Sequence, residues 1–139
     1  MTTLTTSTTV EAVVRRYFAT VADLGSTEDD LRPLLDPTVR VVEHPNAVTP
    51  DGAVRDLDGT LAGFRAGKAL LRAQVFDVHE VLTSGERAAV RATWVATVGA
   101  DAGPFRAGQE LVAHIAALLT VRDGRVVDHE TFDCYEPFA

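Results

Sequence analysis

The chain has 139 residues, of which 46% are hydrophobic, and this length and composition are typical of one globular domain with a single core. Twenty acidic residues against thirteen basic ones give a formal charge of -7, which argues against a nucleic-acid partner. No stretch approaches the ~18 apolar residues of a membrane span. The N-terminal sequence MTTLTTSTTV lacks the basic and apolar regions of a secretion signal, so we expect a cytoplasmic protein without membrane contact.

Two helices are predicted before the first strand. Residues 1–9, nearly all Thr and Ser, are expected to form a disordered tail, and residues 10–139 a single domain. In VEAVVRRYFATVADL (10–24) the apolar residues recur every three or four positions, which predicts an amphipathic helix. STEDDLRPLLD then predicts a second, short helix with Ser26 or Thr27 as its N-cap.

The rest of the chain is dominated by strand-like patterns. TVRVVEH predicts the first strand, a loop with two prolines follows it, and TLAGFRAGKALLRA predicts a third helix. Four longer strand-like segments complete the chain: QVFDVHEVLTS, ERAAVRATWVATV, QELVAHIAALLTV and RVVDHETFDCY. The third of these also fits a buried helix. The pattern predicts an α+β, cone-shaped fold with three N-terminal helices packed on a curved, mainly antiparallel sheet, and a ligand pocket inside the cone.

Four short motifs, in this order of elements, resemble a known family. VVRRYF lies on the first helix, VVEHPN closes the first strand, RDGRVV forms the last hairpin and TFDCYEPF lies near the C-terminus. Together they resemble the nuclear transport factor 2-like superfamily, which includes SnoaL-like polyketide cyclases, ketosteroid isomerases and limonene epoxide hydrolases. The resemblance covers 10–138. It implies a pocket between helices and sheet, usually in a homodimer, and many different chemistries, so the fold alone does not settle the function.

The resemblance to the ketosteroid isomerases carries over only in part. Tyr17 matches the tyrosine of their oxyanion hole, and His44 stands at the position of their proton-carrying acid, before a proline. Ala116 stands where the second acid of that oxyanion hole would lie. The isomerase set is therefore incomplete.

The resemblance to the epoxide hydrolases is also partial. Arg91 matches their arginine, but Thr93 and Thr131 stand where their two acids belong. If Arg91 faces the pocket as that match implies, alternation along the strand also turns Thr93 and Val95 inward and sends Trp94 to the opposite face.

The same alternation selects the other residues of the expected pocket. Asp77 and His79 would lie on the outer face. The residues expected to face inward on the remaining strands are Gln74, Phe76, Val78, Val112, His114, Ala116, Leu118, His129, Thr131 and Asp133. This pocket would gather six titratable side chains among apolar walls, namely Tyr17, His44, Arg91, His114, His129 and Asp133, which calls for a function or for ordered water.

Each titratable residue has a functional and a structural interpretation. His44 is either the general base of the pocket or a strand-end histidine held by hydrogen bonds. Tyr17 is either a core residue or an oxyanion stabiliser. A buried Arg91 requires a carboxylate partner, for which Asp133 is the candidate, and the pair is either structural or binds a substrate oxygen. In the enzymatic interpretation, Asp133 and His129 form the acid pair.

Two functions remain open at this stage. The first is an enzyme without cofactor or metal that acts on a small hydrophobic carbonyl-type metabolite by proton transfer, through cyclisation, isomerisation or dehydration. The second is a non-catalytic module that binds such a metabolite or a protein partner. We also expect a homodimer formed through the outer sheet face, on which Trp94, Ile115 and Leu119 are predicted to lie.

Overall fold

The computed structural model describes residues 9–138. The elements in chain order are α1 (Val10–Ala22), α2 (Glu28–Leu31), a 3-10 turn (Arg32–Leu34), β1 (Leu35–Glu43), β2 (Ala53–Arg55), α3 (Leu57–Leu70), β3 (Leu71–Ser84), β4 (Arg87–Val98), β5 (Glu110–Arg122) and β6 (Arg125–Tyr135). The predicted α+β class is confirmed, but only two of the three helices precede the sheet, because α3 follows β2. The predicted tail lies outside the described residues except for Thr9.

The two N-terminal helices begin at polar caps. The Thr9 side chain accepts a hydrogen bond from the backbone N–H of Ala12 and so caps α1. α1 buries four residues at helical spacing, Val13, Val14, Tyr17 and Phe18, which matches the predicted stripe. α2 begins at Thr27, which forms a capping box with Asp30.

A six-stranded mixed sheet forms the other layer, with strand order β2-β1-β6-β5-β4-β3. β1 pairs in parallel with β6, and the other neighbours are antiparallel. The segment that also fitted a helix is strand β5. The last hairpin turns at Asp123 and Gly124, which both have positive φ, the geometry that an Asp-Gly pair favours between antiparallel strands.

One face of the sheet packs against the helices. α1 contacts β3, β4, β5 and β6, whereas α3 contacts β1, β2 and β3. The buried positions on β4 and β5 alternate along each strand, and half of them are alanines: Ala88, Val90, Ala92, Ala96 and Val98 on β4, and Leu111, Ala113, Ile115, Ala117 and Leu119 on β5. The alanines on this face leave space for the helices and for a cavity.

The prediction of which alternate residues of β4 and β5 face the helices is therefore wrong by one residue. Arg91 pairs with Ala116 and Thr93 with His114 across the two strands, and all four lie on the face away from the helices, as do Val95, Val112 and Leu118. Trp94, Ile115 and Leu119 lie on the helix-facing side instead. The physical reason is that the chosen phase would bury a guanidinium and an imidazole, whereas the observed phase buries only apolar side chains and Trp94.

Within residues 9–138, no helix combines the length and the apolar character needed to cross a bilayer.

Candidate active site

Two adjacent cavities lie between the helices and the sheet. The large cavity has a volume of about 230 Å³. Its lining is mainly aromatic and aliphatic: Val21, Gly63, Phe64, Gly67, Lys68, Leu71, Gln74, Phe76, Trp94, Ile115, Asp133 and Tyr135. Apolar walls with a few polar groups are the usual lining of a small-molecule site.

Most polar groups of the large cavity already have protein partners. Gln74 Nε2 donates to the carbonyl oxygen of Val21 at 3.0 Å, and Gln74 Oε1 accepts from Trp94 Nε1 at 2.7 Å. Lys68 Nζ donates to the carbonyl oxygen of Ser26. These walls therefore favour an apolar body in a ligand.

The small cavity has a volume of about 130 Å³. It is lined by Tyr17, Phe18, Val21, Phe76, Ile115, His129, Thr131 and Asp133. Four of these residues also line the large cavity: Val21, Phe76, Ile115 and Asp133. Among residues 9–138, Asp133 is the one carboxylic acid in either lining, and it lies at the junction of the two cavities.

Asp133 is held on β6 by its neighbour on the same strand face. Thr131 Oγ1 donates to Asp133 Oδ1 at 2.6 Å, which leaves the second carboxylate oxygen without a hydrogen bond from this pair. Burial raises the pKa of Asp133 above its ordinary value, the negative charge of Glu43 raises it further, and the Thr131 hydrogen bond opposes the change. A carboxyl with a raised pKa is better suited to proton transfer near neutral pH than a solvated one.

Glu43, which sequence reasoning missed, lines neither cavity but influences the site through its charge, which raises the pKa of Asp133. Its Oε1 accepts from Arg55 Nη1 at 2.9 Å, and its Oε2 accepts from Asn46 Nδ2 at 2.8 Å. Burial raises its pKa, but the hydrogen bonds from Asn46, Arg55 and Thr49 outweigh burial, and the resulting pKa lies below the ordinary value. Glu43 therefore stays ionised and acts on Asp133 through its charge.

Replacing Glu43 by Gln should lower the pKa of Asp133 toward its ordinary value, because a fixed negative charge near Asp133 is removed. A pH titration of the Asp133 carboxyl carbon by NMR measures this shift. Glu80→Gln is the matched control, since Glu80 is exposed on β3 and pairs with Arg91. An unchanged Asp133 pKa in the Glu43→Gln variant would contradict the coupling.

Tyr17 and His129 form a buried polar pair in the small cavity. The Tyr17 hydroxyl oxygen lies 2.8 Å from His129 Nδ1, and the two residues are 3% and 9% exposed. Burial raises the pKa of Tyr17 well above its ordinary value and lowers the pKa of His129 to about 4. The imidazole is thus neutral near pH 7, and its Nε2 has no hydrogen-bond partner among residues 9–138.

The predicted pocket position of His44 is wrong. His44 Nε2 lies 2.6 Å from Glu130 Oε2, and the imidazole stacks on the Phe132 ring with centroids 4.4 Å apart. Leu35, Val39 and Val41 are the buried residues of β1. The next residue on the face of Val39 and Val41 is Glu43, so His44 lies on the outer face. Its geometry is that of a half-exposed strand-end histidine with a carboxylate partner.

The predicted Arg91–Asp133 pair is also absent. Arg91 is 66% exposed, and its Nε lies 3.6 Å from Glu80 Oε1. Thr93 bonds to His79 on the outer face through its Oγ1, at 2.7 Å. The outward phase of β4 explains both contacts.

The other predicted pocket residues divide by strand. Gln74 and Phe76 line the large cavity, whereas Val78 packs against the core but lines neither cavity. His114 pairs with Glu136 at 2.8 Å, outside both cavities, and Val112 and Leu118 share its outward face. On β6 the predicted phase is right: His129, Thr131 and Asp133 all line the small cavity.

The arrangement of two layers with cavities between them can be compared with known families. The profile of the SnoaL-like domain family matches residues 14–129. The chain belongs to this family. No curated protein sequence is significantly similar to the chain.

Solved structures share the fold at low sequence identity. IdmH from Streptomyces antibioticus, a candidate polyketide cyclase, is 21% identical with a TM-score of 0.74, and the match covers 89% of this chain and 91% of that one. AclR from Streptomyces galilaeus, a candidate hydroxylase, is 17% identical with a TM-score of 0.71, over 89% and 74% of the two chains. An NTF2-like protein of unknown function from Burkholderia pseudomallei K96243 is 22% identical with a TM-score of 0.68, over 92% of each chain. At these identities the comparison establishes the nuclear transport factor 2-like fold of the SnoaL-like domain.

Proposed function

We propose that this SnoaL-like domain is an enzyme that acts by acid/base proton transfer, without a cofactor, on a small hydrophobic carbonyl compound. The observation that carries the proposal is the position of Asp133 at the junction of two cavities, whose walls are otherwise apolar or neutral except for Lys68. In this proposal Asp133 is the proton carrier, and its reaction is a cyclisation, an isomerisation or a dehydration. The polyketide-cyclase character attributed to IdmH is compatible with such chemistry.

The surroundings of Asp133 support a role as a proton carrier. Its pKa is raised by burial and by Glu43, while the pKa of Glu43 is lowered by its hydrogen bonds. Two neighbouring carboxyls whose environments separate their pKa values are a frequent arrangement for acid/base catalysis. In our proposal Glu43 remains the fixed charge and Asp133 exchanges the proton.

The proposal is tested by deuterium exchange, because abstraction of an α-proton can be observed without the natural reaction. The protein is incubated in D₂O with cyclic ketones, enones and esters of one to four rings, and mass spectrometry measures deuterium at the α-carbon. Binding is followed in parallel by the fluorescence of Trp94, the one tryptophan of the sequence, which lines the large cavity. Exchange above the protein-free rate supports the enzyme, whereas binding without exchange favours the non-catalytic binding module.

We also propose that the protein is a homodimer that associates through the outer sheet face. Leu118 and Phe132 are 37% and 40% exposed, and both lie on that face. Exposed apolar side chains on a sheet face are frequent at interfaces. The residues that support this surface differ from those predicted from sequence, since Trp94, Ile115 and Leu119 face the helices.

Sedimentation at micromolar concentration should give about twice the chain mass of 14.9 kDa. Leu118→Glu should shift the protein toward the monomer, because a carboxylate would be buried in the interface. Ala66→Glu is the control, since Ala66 lies on the exposed face of α3. A monomeric wild-type protein would contradict the dimer.

A further inference from the structure

One polar atom of the buried Tyr17–His129 pair has no hydrogen-bond partner among the described residues. Tyr17 Oη and His129 Nδ1 serve each other at 2.8 Å, but His129 Nε2 is buried without a partner among the described residues. An unpaired buried polar group is costly. His129 is part of the lining of the small cavity, and a ligand atom in that cavity is the partner that we infer for Nε2.

Counting partners identifies which nitrogen of His129 carries the proton. If Nδ1 accepts from the Tyr17 hydroxyl, the only group left over is an Nε2–H donor. If Nδ1–H donated to Tyr17 instead, both the Tyr17 O–H and the Nε2 lone pair would be left over. Burial lowers the pKa of His129 to about 4, so the doubly protonated ring is disfavoured near neutrality. The tautomer with hydrogen on Nε2 leaves the fewest buried groups unpaired.

A free Nε2–H donor selects an oxygen acceptor in the ligand. The same cavity contains Asp133, which our proposed function makes the proton carrier, so the acceptor lies near the atom that loses a proton. A carbonyl oxygen adjacent to an acidic C–H fulfils both conditions. The large cavity, with walls formed by Phe64, Phe76 and Trp94, then receives the apolar body of the same molecule.

The cavity volumes limit the size of that body. The two volumes, about 230 Å³ and about 130 Å³, together reach only the lower end of the ~300 to 1,000 Å³ typical of sites for drug-sized ligands. This space suits one or two rings better than a molecule with four fused rings.

We propose that Tyr17 and His129 form an oxygen-binding pair, in which His129 Nε2–H donates to the carbonyl oxygen of an enolisable ketone with one or two rings and Tyr17 fixes the tautomer. This inference rests on the proposed function and deepens it. Asp133 removes the α-proton, the C–H electron pair forms the C=C bond of the enolate, and the carbonyl electrons move to the oxygen. The His129 hydrogen bond strengthens as charge develops on that oxygen, and Asp133 returns the proton to the same or a conjugated carbon. Tyr17 is a positioning residue, since it acts through His129.

The first test is the protonation state of His129 in the wild-type protein. In a sample with ¹⁵N-labelled histidine, NMR should show hydrogen on Nε2 of His129 throughout pH 5.5 to 8, and the His129→Phe variant assigns the signal by its loss. Tyr17→Phe should produce a mixture of tautomers, because Nδ1 loses its donor. Hydrogen on Nδ1 in the wild-type protein would overturn the proposal.

The second test compares two probes that differ by one carbonyl oxygen, 1-tetralone and tetralin, by the fluorescence of Trp94. The ratio of their dissociation constants should favour 1-tetralone in the wild-type protein and fall by roughly tenfold in the Tyr17→Phe/His129→Phe double variant, as expected for one hydrogen bond. The double variant removes both partners of the buried pair and so avoids leaving a new unpaired hydroxyl.

Asp133→Asn should keep the preference for 1-tetralone, because the oxygen-binding pair is intact. If Asp133→Asn loses deuterium exchange but keeps the preference for 1-tetralone, both proposals are supported. If it keeps both the preference and the exchange, only the proposed function is contradicted. An equal ratio in the wild-type and double-variant proteins, or no binding of either probe up to its solubility, overturns the oxygen-binding pair.

Discussion

Replacing Asp133 by Asn should lower the rate of α-proton exchange by roughly 10² to 10⁴-fold, the range typical for loss of a general acid or base. The amide has nearly the shape of the carboxyl and keeps an oxygen that accepts from Thr131 Oγ1, which now lies 2.6 Å from Asp133 Oδ1. It cannot accept a proton from carbon. The rates are measured by mass spectrometry on the best substrate found in the ketone panel.

The stability of the same variant separates a catalytic role from a structural one. Because the pKa of Asp133 is raised in the folded state, its ionised form is less favourable there than in the unfolded chain, and a neutral side chain relieves this cost. Asp133→Asn should therefore be at least as stable as the wild-type protein near pH 7 in urea unfolding. A structural acid would give the opposite result, lower stability with an unchanged rate.

Asp77→Asn is the matched control for both measurements. Asp77 is 67% exposed and lies 3.6 Å from His79 Nδ1 on the outer face, so its neutralisation should change neither the exchange rate nor the stability appreciably. A similar loss of rate in this variant would point to a nonspecific effect of charge and would contradict the assignment of Asp133 as the proton carrier.

The helices and strands were predictable because their patterns are local. Val13, Val14, Tyr17 and Phe18 are spaced for one face of a helix, and the Asp123–Gly124 pair favours the turn that the structure contains. The place of α3 after β1 was also present in the segment order, although the fold-class prediction grouped all three helices at the N-terminus and β2 lies in the segment predicted as a loop. The pairing of β1 with β6 depends on contacts between distant parts of the chain and has no local signal.

The site was only partly predictable, because a strand pattern gives alternation but not which set faces inward. On β6 the correct phase placed His129, Thr131 and Asp133 in the small cavity. On β4 the inward-facing residues were assigned by matching Arg91 to a distant family. This match placed every residue of the strand on the wrong face of the sheet. The rule that the more apolar set of alternate residues faces the core would have identified the inward face correctly, since Ala88, Val90 and Ala92 are the buried residues.

The same criterion on β1 would have identified Glu43 instead of His44. Val39 and Val41 are the apolar pair of one face, and Glu43 is the next residue on that face, whereas Arg40 shares the face of His44. The proline after His44 drew attention to the histidine but carries no information about which way it points. Continuation of an apolar series is the stronger signal for the face of the sheet on which a charged residue lies.

The orphan nitrogen of His129 had no counterpart in the sequence. Its partner Tyr17 lies 112 residues away on α1, and hydrogen-bond satisfaction depends on the packing of both elements. The sequence indicated a histidine and a tyrosine on inward faces, but only the structure shows that one atom of the pair is unpaired.

Acidification from pH 7.5 to 5 should destabilise the protein by about 2 kcal/mol through His129 alone. Its folded-state pKa of about 4 lies below the ordinary value of about 6.5. Between these values the unfolded chain binds a proton that the folded protein does not, so the free energy of unfolding falls as the pH falls through this window and levels off below the folded pKa. Asp133, whose pKa is raised, gives the opposite trend at the acidic end, so the effect of His129 must be isolated by comparison.

The comparison uses the Tyr17→Phe/His129→Phe double variant, which removes the imidazole together with the hydroxyl that it serves. Urea unfolding at several pH values should show a steeper loss of stability in the wild-type protein than in this variant, by about 2 kcal/mol between pH 7.5 and 5. His114→Gln is the control, because the His114 side chain is 58% exposed. This variant should lose stability between pH 7.5 and 5 as steeply as the wild-type protein. Parallel pH profiles of the wild-type and double-variant proteins would mean that His129 takes up a proton in the folded state as readily as in the unfolded chain, and would contradict a neutral, buried imidazole.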